Sequence, residues 1–476
     1  MSGPTTARLA AHGRTDDSPG HFSFQYAPSA ALLGTADGFV TPTRGPFPAH
    51  TPASGDVAFS EGVTALRPST TYAFRVCGGD ARFTTDVCGA TRTFTTPAGK
   101  PAVNFATSTA LRDGNAQIGQ LTVADVDRDG NLDLAALGAS AVGPALAGPV
   151  LLFRGNGQGG FAAPSSVGSR ADGVTPAAIT SGDFDNDGKS DLALGGSTAA
   201  GWALLLLRGD GRGGFTAGAP VAVDGAVKQL VPADVDRDGK LDLVVVAGGH
   251  VVVARGTGTG GFAASGAIDA AEGPARAAVR DMDHDGIADL VLATSSPAGV
   301  SILRGDGRGA FLAPHHASTP GGAPVDVVVA DFDRDGNRDV AVPGAILRGD
   351  GAGSLRAAVA ISGSPREALV VADFDGDGRS DLAGGTTTPT PSGRGSRMRV
   401  LLGNGDGTFQ TPNDFDCVPQ SPCSGPFGAR YVTSAAADFF HDGRPSLVGA
   451  LAVEGGTGLP LAIITVERNT TGAAAP

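Results

Sequence analysis

The sequence contains few of the residues that usually build aromatic ligand sites, redox centres or membrane anchors. Its 476 residues include 1 Trp, 3 Tyr, 3 Met and 4 Cys. No apolar run approaches the roughly 18 residues that a transmembrane helix needs, which excludes a membrane-spanning anchor. Positive charge is also scarce, with 35 Lys and Arg against 48 Asp and Glu and a formal net charge of −13. Nucleic acid and anionic membrane surfaces are therefore unfavourable partners.

Glycine and proline are abundant instead, at 74 and 32 residues, and 41% of the residues are hydrophobic. This composition, without a Gly-X-Y period, is typical of a globular protein made of many short strands and tight turns. The length is sufficient for two or three domains.

The pattern Asp-x-Asp-x-Asp-Gly-x-x-Asp recurs along most of the chain. Six complete copies begin at Asp125, Asp183, Asp234, Asp281, Asp331 and Asp373, and an eroded seventh copy begins at Asp438. After each complete copy come an apolar run, a glycine-rich turn and then a large apolar residue: Phe161, Phe215, Phe262, Phe311, Leu355 or Phe409. Each repeat has four short extended segments, which in the second repeat are 177–182, 192–195, 203–207 and 215–217. Four strands per repeat and seven repeats predict an all-β fold, a seven-bladed β-propeller.

The ends of this ring must meet. The last repeat runs out after Val466 without a fourth strand, whereas residues 103–108 are an isolated extended segment before the first repeat. We therefore predict that this segment pairs with residues 462–466, which would close the ring and protect an exposed sheet edge.

From about residue 101 to the end, the compound repeat resembles the FG-GAP/VCBS repeat family, whose best-known members include the α-subunit propeller of integrins. The preceding part differs. Residues 63–76, with Tyr72, Phe74 and Val76 in alternation, resemble the late-strand signature of a fibronectin type III module, and earlier strands are predicted at 7–12 and 22–26. The module's first strand is not recognisable. The predicted organisation is a partial fibronectin type III-like β-sandwich at 1–98, a linker at 96–101 and the propeller at 99–476.

The aspartate pattern itself predicts calcium binding, because Ca²⁺ takes six to eight oxygen ligands. Alternating Asp side chains at positions 1, 3 and 5 of the pattern can face one point, and Gly at position 6 permits a sharp turn. Asp at position 9 returns at the start of the next strand, placed to bind through both oxygens. Position 7 varies in chemistry and is predicted to contribute its main-chain carbonyl. Position 2 is always apolar and is predicted to pack between blades.

Six sites are predicted on this basis. Their carboxylate ligands are Asp125, Asp127, Asp129 and Asp133; Asp183, Asp185, Asp187 and Asp191; Asp234, Asp236, Asp238 and Asp242; Asp281, Asp283, Asp285 and Asp289; Asp331, Asp333, Asp335 and Asp339; and Asp373, Asp375, Asp377 and Asp381. Their carbonyl ligands are those of Asn131, Lys189, Lys240, Ile287, Asn337 and Arg379.

In the seventh copy, Phe440 and Ser446 replace the carboxylates at positions 3 and 9. Two carboxylates offset the dehydration of Ca²⁺ far less well than four, so no tight ion is predicted at Asp438. Six Ca²⁺ ions would change the formal charge from −13 to −1. Without metal, each loop crowds like charges, so calcium is expected to be structural rather than catalytic. The alternative is a set of solvated acidic turns without metal.

The four cysteines form two close pairs, which predict disulfides Cys77–Cys88 and Cys417–Cys423 and an oxidising compartment. The alternative is four buried thiols. The first residues lack the basic and apolar regions of a signal peptide. Either the protein stays inside the cell or its start has been trimmed or wrongly set. With the cysteine pairs, an extracellular or cell-surface protein is the expectation.

Three further motifs receive plain interpretations. Arg-Gly-Asp occurs at 208–210, 304–306 and 348–350, but the same slot holds other triplets in other repeats, so it is interpreted as part of a repeated turn. The Gly-x-Gly-x-x-Gly matches at 155–160 and 209–214 have no helix after them and are not dinucleotide sites. His315 and His316 are predicted to lie in a solvated loop.

No catalytic constellation is recognisable, and the leading hypothesis is a non-enzymatic adhesion or scaffold module that presents propeller loops to a protein or glycan. A secreted polysaccharide hydrolase or lyase with a site on the rim and a purely structural spacer are the alternatives. With Trp202 as its single Trp, the chain is a poor candidate for a multivalent lectin. Residues 386–399 and 417–423 are predicted as irregular insertions that form a partner surface. The ligand and the oligomeric state stay open.

Overall fold

A computed structural model describes most of the chain. The described residues are 7–13, 20–27, 39–40, 44–47, 57–63, 71–80, 87–95, 105–112, 116–140, 150–167, 173–268, 272–390, 393–416, 428–454 and 462–470. The chain divides into two compact units, Met1–Ala102 and Val103–Pro476. The division therefore falls four residues after the predicted boundary at 98. All regular elements in the described ranges are strands, and none of these residues form a helix that could cross a membrane.

The first unit consists of two antiparallel sheets. Its strands are β1 (Ala7–Gly13), β2 (Gly20–Ala27), β3 (Phe39–Val40), β4 (Arg44–Phe47), β5 (Val57–Val63), β6 (Thr71–Asp80), β7 (Val87–Cys88) and β8 (Arg92–Thr95). β1 pairs with β5, and the other six strands form a sheet around β2 and β6. The strands predicted at 7–12 and 22–26 correspond to β1 and β2.

A small aromatic core joins these two sheets. Leu9 of β1 lies in one buried cluster with Phe24 and Tyr72 of the larger sheet. Tyr72 is 3% exposed, as expected for the buried Tyr of a sandwich strand, and its ring stacks on that of Phe94 with centroids 5.6 Å apart. Side chains from two facing sheets thus form one core.

The disulfide predicted between Cys77 and Cys88 is present, and it links paired positions of β6 and β7. Cys417 and Cys423 lie outside the described residues, so their predicted pairing stays a prediction.

The described residues of the second unit form seven sheets, six with four strands and one with five, which we call blades 1 to 7. Its strands are β9 (Phe105–Arg112), β10 (Ala116–Ala124), β11 (Asp133–Ser140), β12 (Val150–Phe153), β13 (Ser165–Val167), β14 (Thr175–Gly182), β15 (Asp191–Thr198), β16 (Gly201–Gly209), β17 (Phe215–Ala217), β18 (Val221–Val223), β19 (Val227–Ala233), β20 (Asp242–Ala247), β21 (His250–Gly256), β22 (Phe262–Ile268), β23 (Glu272–Arg280), β24 (Asp289–Ser296), β25 (Ala298–Leu303), β26 (His315–Ser318), β27 (Val328–Ala330), β28 (Asp339–Val342), β29 (Ala345–Leu347), β30 (Val359–Ala360), β31 (Glu367–Ala372), β32 (Asp381–Thr390), β33 (Gly393–Leu401), β34 (Asn413–Asp416), β35 (Gly428–Ala437), β36 (Ser446–Glu454) and β37 (Ala462–Asn469).

Each blade is an antiparallel meander in chain order, except at the ring closure. Blades 1 to 6 are β10–β13, β14–β17 with β18 added on β16, β19–β22, β23–β26, β27–β30 and β31–β34. Blade 7 combines β35, β36 and β37 with β9 from the start of the unit. The segment predicted at 103–108 is thus strand Phe105–Arg112, and its register runs from Phe105 opposite Asn469 to Arg112 opposite Ile463.

The blades form a closed cycle. The first strand of each blade contacts the first strand of the next, in the order β10, β14, β19, β23, β27, β31 and β35, and β35 contacts β10 in turn. The second and third strands of a blade are covered by the neighbouring blades on both faces, as in β20, where every residue is buried. This explains their continuous apolar runs, whereas fourth strands such as β26 are mostly exposed.

Position 2 of the aspartate pattern supplies the core between blades. Its side chain is at most 2% exposed in all seven copies: Val126, Phe184, Val235, Met282, Phe332, Phe374 and Phe439. Each of these residues lies in a separate apolar cluster with residues of the following blade. Phe439 of blade 7 meets Phe161 of blade 1, with ring centroids 5.9 Å apart. The same repeat therefore provides both the acidic loop and the packing that joins blades.

Two predictions about irregular segments are wrong. Residues 386–390 and 393–399 belong to the long hairpin of β32 and β33 rather than to an irregular insertion, because nine successive pairs continue the ladder to Thr390 and Gly393. His315 and His316 begin the exposed outer strand β26 rather than lying in a loop. Residues 417–423 are outside the described part of the chain.

Candidate metal centres

The seven acidic segments, here called the Asp loops, occupy equivalent places in the seven blades. They comprise residues 125–133, 183–191, 234–242, 281–289, 331–339, 373–381 and 438–446. Each joins the first strand of its blade to the second, and position 9 is the first residue of the second strand. All Asp loops therefore lie at the same end of their blades.

Backbone conformation shapes every loop in the same way. Gly at position 6 has a φ between 75° and 91° in all seven loops, which agrees with the expected sharp turn. Position 4 is also left-handed, with φ between 53° and 63° at Arg128, Asn186, Arg237, His284, Arg334 and His441. This second left-handed position is not predicted from the sequence. The signal was weak: blade 6 has Gly376 there and blade 2 has Asn186, two residue types that tolerate this conformation.

The carboxylates at positions 1 and 5 hold the turn. At position 1, one oxygen accepts the N–H of the position 6 Gly in every loop, at 2.7–3.2 Å. At position 5, one oxygen accepts the N–H of position 7, also in every loop, at 2.7–3.2 Å. The loop backbone is thus organised by the same side chains that were predicted to bind calcium.

Carboxylate oxygens converge in the loops. Atoms of positions 1, 3 and 9 lie within 4.8 Å of one another in blades 1, 2, 3 and 5, and those of Asp281, Asp283 and Asp285 do so in blade 4. In blade 1, the Oδ1 atoms of Asp125 and Asp127 are buried and have no hydrogen-bond partner, as is the Oδ1 of Asp281 in blade 4. Buried unpaired anionic oxygens are costly, and a hard divalent cation is the partner that this donor set fits. The residues present therefore suit calcium.

Position 9 has a structural role that is not predicted from the sequence. The Asp side chain is at most 1% exposed in blades 1 to 6. Its Oδ2 accepts the N–H of position 2 at 2.7–3.0 Å, and its Oδ1 accepts the N–H of a Gly at the end of the third strand at 2.7–2.9 Å. Both oxygens are thus already hydrogen-bonded, so each has only its remaining lone pairs for a metal.

The electrostatic cost of this burial appears in the carboxyl pKa values. Desolvation raises the pKa of Asp191 and Asp339 to about 6 and that of Asp381 to about 7, with the neighbouring Asp residues adding to the rise. Backbone hydrogen bonds act in the opposite direction and do not cancel the burial. A nearby cation would favour the charged form and offset this cost.

Position 7 shares more side-chain chemistry than expected. Lys189, Lys240 and Arg379 pair with the position 5 carboxylate at 2.5, 2.6 and 3.4 Å, and the amides of Asn131 and Asn337 donate to it at 2.9 and 3.0 Å. Among the six complete loops, the exception is Ile287. For Asp187 and Asp238, the hydrogen bond from the Lys side chain is the largest cause of the lowered pKa. For Asp129 and Asp335, the largest cause of the lowered pKa is the hydrogen bond from the position 7 N–H.

An arginine after the third strand approaches position 3 of its own loop. Arg154, Arg255, Arg304 and Arg348 lie 3.4–3.8 Å from Asp127, Asp236, Asp283 and Asp333. These guanidinium groups are 35–45% exposed, so each pair contributes little by itself. Arg154 and Arg348 also donate to a main-chain carbonyl in the next blade, which ties adjacent blades together.

The seventh loop replaces this pairing with a different contact. Arg468 is the counterpart of Arg154, because the residues that precede them pair with equivalent positions. Glu467 pairs with Leu447, and Phe153 pairs with Leu134. Its guanidinium lies 4.5 Å from the ring centroid of Phe440, the residue at position 3, and 3.4 Å from Asp442. The Oγ of Ser446 at position 9 is buried without a partner. Blade 7 therefore places a cation–π contact where the other loops place a carboxylate.

The Arg-Gly-Asp triplets belong to the turns, as predicted. Oδ1 of Asp210 accepts the N–H groups of Arg212 and Gly214 at 2.8 and 2.9 Å, which lowers the pKa of that carboxyl. Asp306 and Asp350 bind their turns in the same manner. Trp202, on β16, packs against the apolar cluster between blades 2 and 3.

Closed cycles of four-stranded antiparallel sheets of this kind define the β-propeller fold. The family model for the FG-GAP-like repeat matches residues 183–245, 234–292 and 281–342, so the chain carries three FG-GAP-like repeats in this part of the propeller. Each matched range starts at an Asp loop.

The chain is also similar to solved structures. The V. cholerae biofilm matrix protein Bap1 is 13% identical with a TM-score of 0.35, covering 78% of this chain and 68% of its own. The Dos1 propeller is 9% identical with a TM-score of 0.42, covering 76% of this chain and 95% of its own. Comparison with curated proteins gives no match.

Proposed function

We propose that this chain is an extracellular, calcium-stabilised propeller that serves as a non-enzymatic adhesion or scaffold module for a protein or glycan partner. Six Ca²⁺ ions bind in the Asp loops of blades 1 to 6, through the carboxylates at positions 1, 3, 5 and 9 and the main-chain carbonyl at position 7. The seventh loop binds none tightly. The observation that carries this proposal is the buried, unpaired carboxylate oxygens of loops whose position 2 side chains form the contacts between blades.

The extracellular part of the proposal rests on the disulfide and on the cation. The disulfide Cys77–Cys88 is stable outside the reducing cytosol. Calcium sites of extracellular modules typically bind at about 10⁻⁴–10⁻³ M, a range that external calcium fills. A rigid ring that holds loops in fixed places is a suitable scaffold for recognition. The fold alone does not define the partner.

The loop assignment predicts unequal effects of matched substitutions. The double variant Asp183→Asn, Asp185→Asn removes two ligands from blade 2, whereas Asp438→Asn, Asp442→Asn changes the seventh loop. Loss of one site costs up to about 2.7 kcal/mol when free Ca²⁺ is about 100-fold above Kd. We expect the blade 2 variant to melt about 3 °C lower than the parent in calcium. In chelator it should melt no lower than the parent, because removing two like charges relieves repulsion in the empty loop.

The blade 7 variant is the control, and its difference from the parent should be the same with and without calcium. Equal calcium dependence in both variants would contradict the distinction between the loops. Polysaccharide turnover by the parent protein that a substitution on the rim abolishes would contradict the non-enzymatic role.

A further inference from the structure

Blade 5 is shorter than its neighbours. Its second and third strands, β28 and β29, have four and three residues and are joined directly through Pro343 and Gly344. The second strands of blades 4 and 6 have eight and ten residues. At about 3.3 Å per residue, the hairpin of blade 5 ends roughly 13–20 Å before those beside it. The end of the ring opposite the Asp loops is therefore indented at blade 5.

A pocket of about 400 Å³ occupies this indentation. Its walls are the connection before blade 5, the Pro343–Gly344 turn, the connection between blades 5 and 6, and the start of the blade 6 hairpin. Hydrogen bonds hold these walls in place: Thr319 donates to the carbonyl of Gly322 at 2.8 Å, and Ser364 accepts the N–H of Gly344 at 3.0 Å. The volume lies within the usual range for small-ligand sites.

Two arginines line the pocket, and one of them has no paired carboxylate among the described residues. The Arg399 guanidinium is fixed by Asp414, at 2.5 and 2.6 Å, and donates to the carbonyl of Gly363 at 3.1 Å. Three of its five N–H groups are thus used and two are left. Arg366 is exposed at the pocket and forms no side-chain ion pair with a described residue.

No carboxylate among the described residues lines the pocket to neutralise Arg366. Two acidic residues are next to lining residues in the sequence, and both accept backbone N–H groups. The oxygens of Asp326 accept those of Leu369 and Val327 at 2.7 and 2.9 Å, and Oε1 of Glu367 accepts that of Tyr431 at 3.1 Å. In a chain with a formal net charge of −13, this is a local site for an anion.

Part of the remaining wall is aliphatic. Val325 is 58% exposed, and Pro320, Pro324, Pro343 and Ile361 also line the pocket. No aromatic ring is present among the described lining residues on which a sugar could stack, so an aliphatic peptide body is favoured over a glycan.

We infer that this pocket binds a short aliphatic peptide segment that bears a carboxylate, with Arg366 as the main anion contact and Arg399 as a fixed second donor. The inference rests on the proposed binding role and specifies the chemistry of the partner. The carboxylate could be a chain terminus or an acidic side chain, which share the same contact with a guanidinium.

Calorimetric titration of the full calcium-loaded chain with three peptides tests the inference at low salt. The probes are acetyl-valyl-valine with a free terminus, the same peptide as its terminal amide, and acetyl-valyl-glutamyl-valine amide. We expect at least one carboxylate peptide to bind at least tenfold more tightly than the neutral amide, and the stronger one identifies the source of the carboxylate. Arg366→Ala should reduce this affinity at least tenfold, while Arg356→Ala, an exposed arginine of blade 5 outside the pocket, should leave it unchanged.

Equal binding of the charged and neutral peptides, no binding of any peptide, or an unaltered affinity in Arg366→Ala would overturn the inference. Binding of glucuronic acid oligomers in place of the peptides would do the same. A calcium-dependent melting temperature, measured on the same samples, reports on the proposed calcium role separately, so failure of either proposal is recognisable.

Discussion

Chelation of calcium is expected to lower the melting temperature of the propeller by more than about 10 °C. Each site contributes up to about 2.7 kcal/mol when free Ca²⁺ is 100-fold above Kd, and six sites act on one cooperative ring. Removal of the ions leaves buried carboxylate oxygens such as Oδ1 of Asp125 and Asp127 without partners, beside like charges. Position 2 of each loop contributes to the packing between blades, so disorder in a loop weakens the contact with the next blade.

Differential scanning calorimetry with about 10 mM CaCl₂, roughly 100-fold above the 10⁻⁴ M affinity of the tighter extracellular modules, or with excess chelator measures this shift. Restoring calcium after chelation should restore the original melting temperature, whereas magnesium should restore less, because it demands octahedral geometry and loses water reluctantly. An unchanged melting temperature after chelation would contradict a structural role for calcium.

Substitution of a position 9 aspartate is expected to destabilise the protein whether or not calcium is present. In Asp242→Ala, the buried N–H groups of Val235 and Gly256 lose their acceptors, which lie at 3.0 and 2.7 Å. An unsatisfied buried donor costs about 1–3 kcal/mol, so a loss of about 2–6 kcal/mol is expected. Urea unfolding in chelator measures this loss without any contribution from metal.

Two controls separate the structural duty of position 9 from metal binding. Ser446→Ala alters the same position in blade 7, where the Oγ has no partner, and should change stability by less than about 1 kcal/mol. Asp236→Asn alters position 3 of the same loop and should matter mainly in calcium. If Asp242→Ala is as stable as the parent in chelator, the hydrogen bonds of position 9 are not structurally important.

Much of the fold could be predicted because the repeat encodes it several times over. A single copy of the pattern, such as the one that contains Phe184, does not show which of its positions are restricted to one kind of residue. Seven aligned copies separate the apolar position 2 from the variable position 7. The closing strand could be predicted because blade 7 had three strands and an unpaired segment preceded blade 1. Its observed register extends to Arg112, since the pairing with β37 continues beyond the segment recognised in the sequence.

Other features depend on side-chain contacts between separate segments of one blade, or on differences between blades, which the repeat pattern does not display. The cation–π contact of Arg468 with Phe440 joins the third strand of blade 7 to its Asp loop, and the double hydrogen bonding of Asp242 joins the Asp loop of blade 3 to its third strand. The pocket at Arg366 arises from the absence of residues in blade 5, so its form depends on the longer strands beside it. The sequence predicts an irregular insertion where β32 and β33 form a hairpin, because the Gly, Ser, Thr and Pro residues of these strands are typical of loops.

The number of calcium ions bound per chain tests the central claim most directly. Equilibrium dialysis against about 10 mM calcium, roughly tenfold or more above the affinities of extracellular modules, followed by metal analysis of the protein, is predicted to give six ions for the parent and five for the variant Asp183→Asn, Asp185→Asn. The variant Asp438→Asn, Asp442→Asn should retain six. A parent protein that binds no calcium above the level of the dialysis buffer would contradict the account.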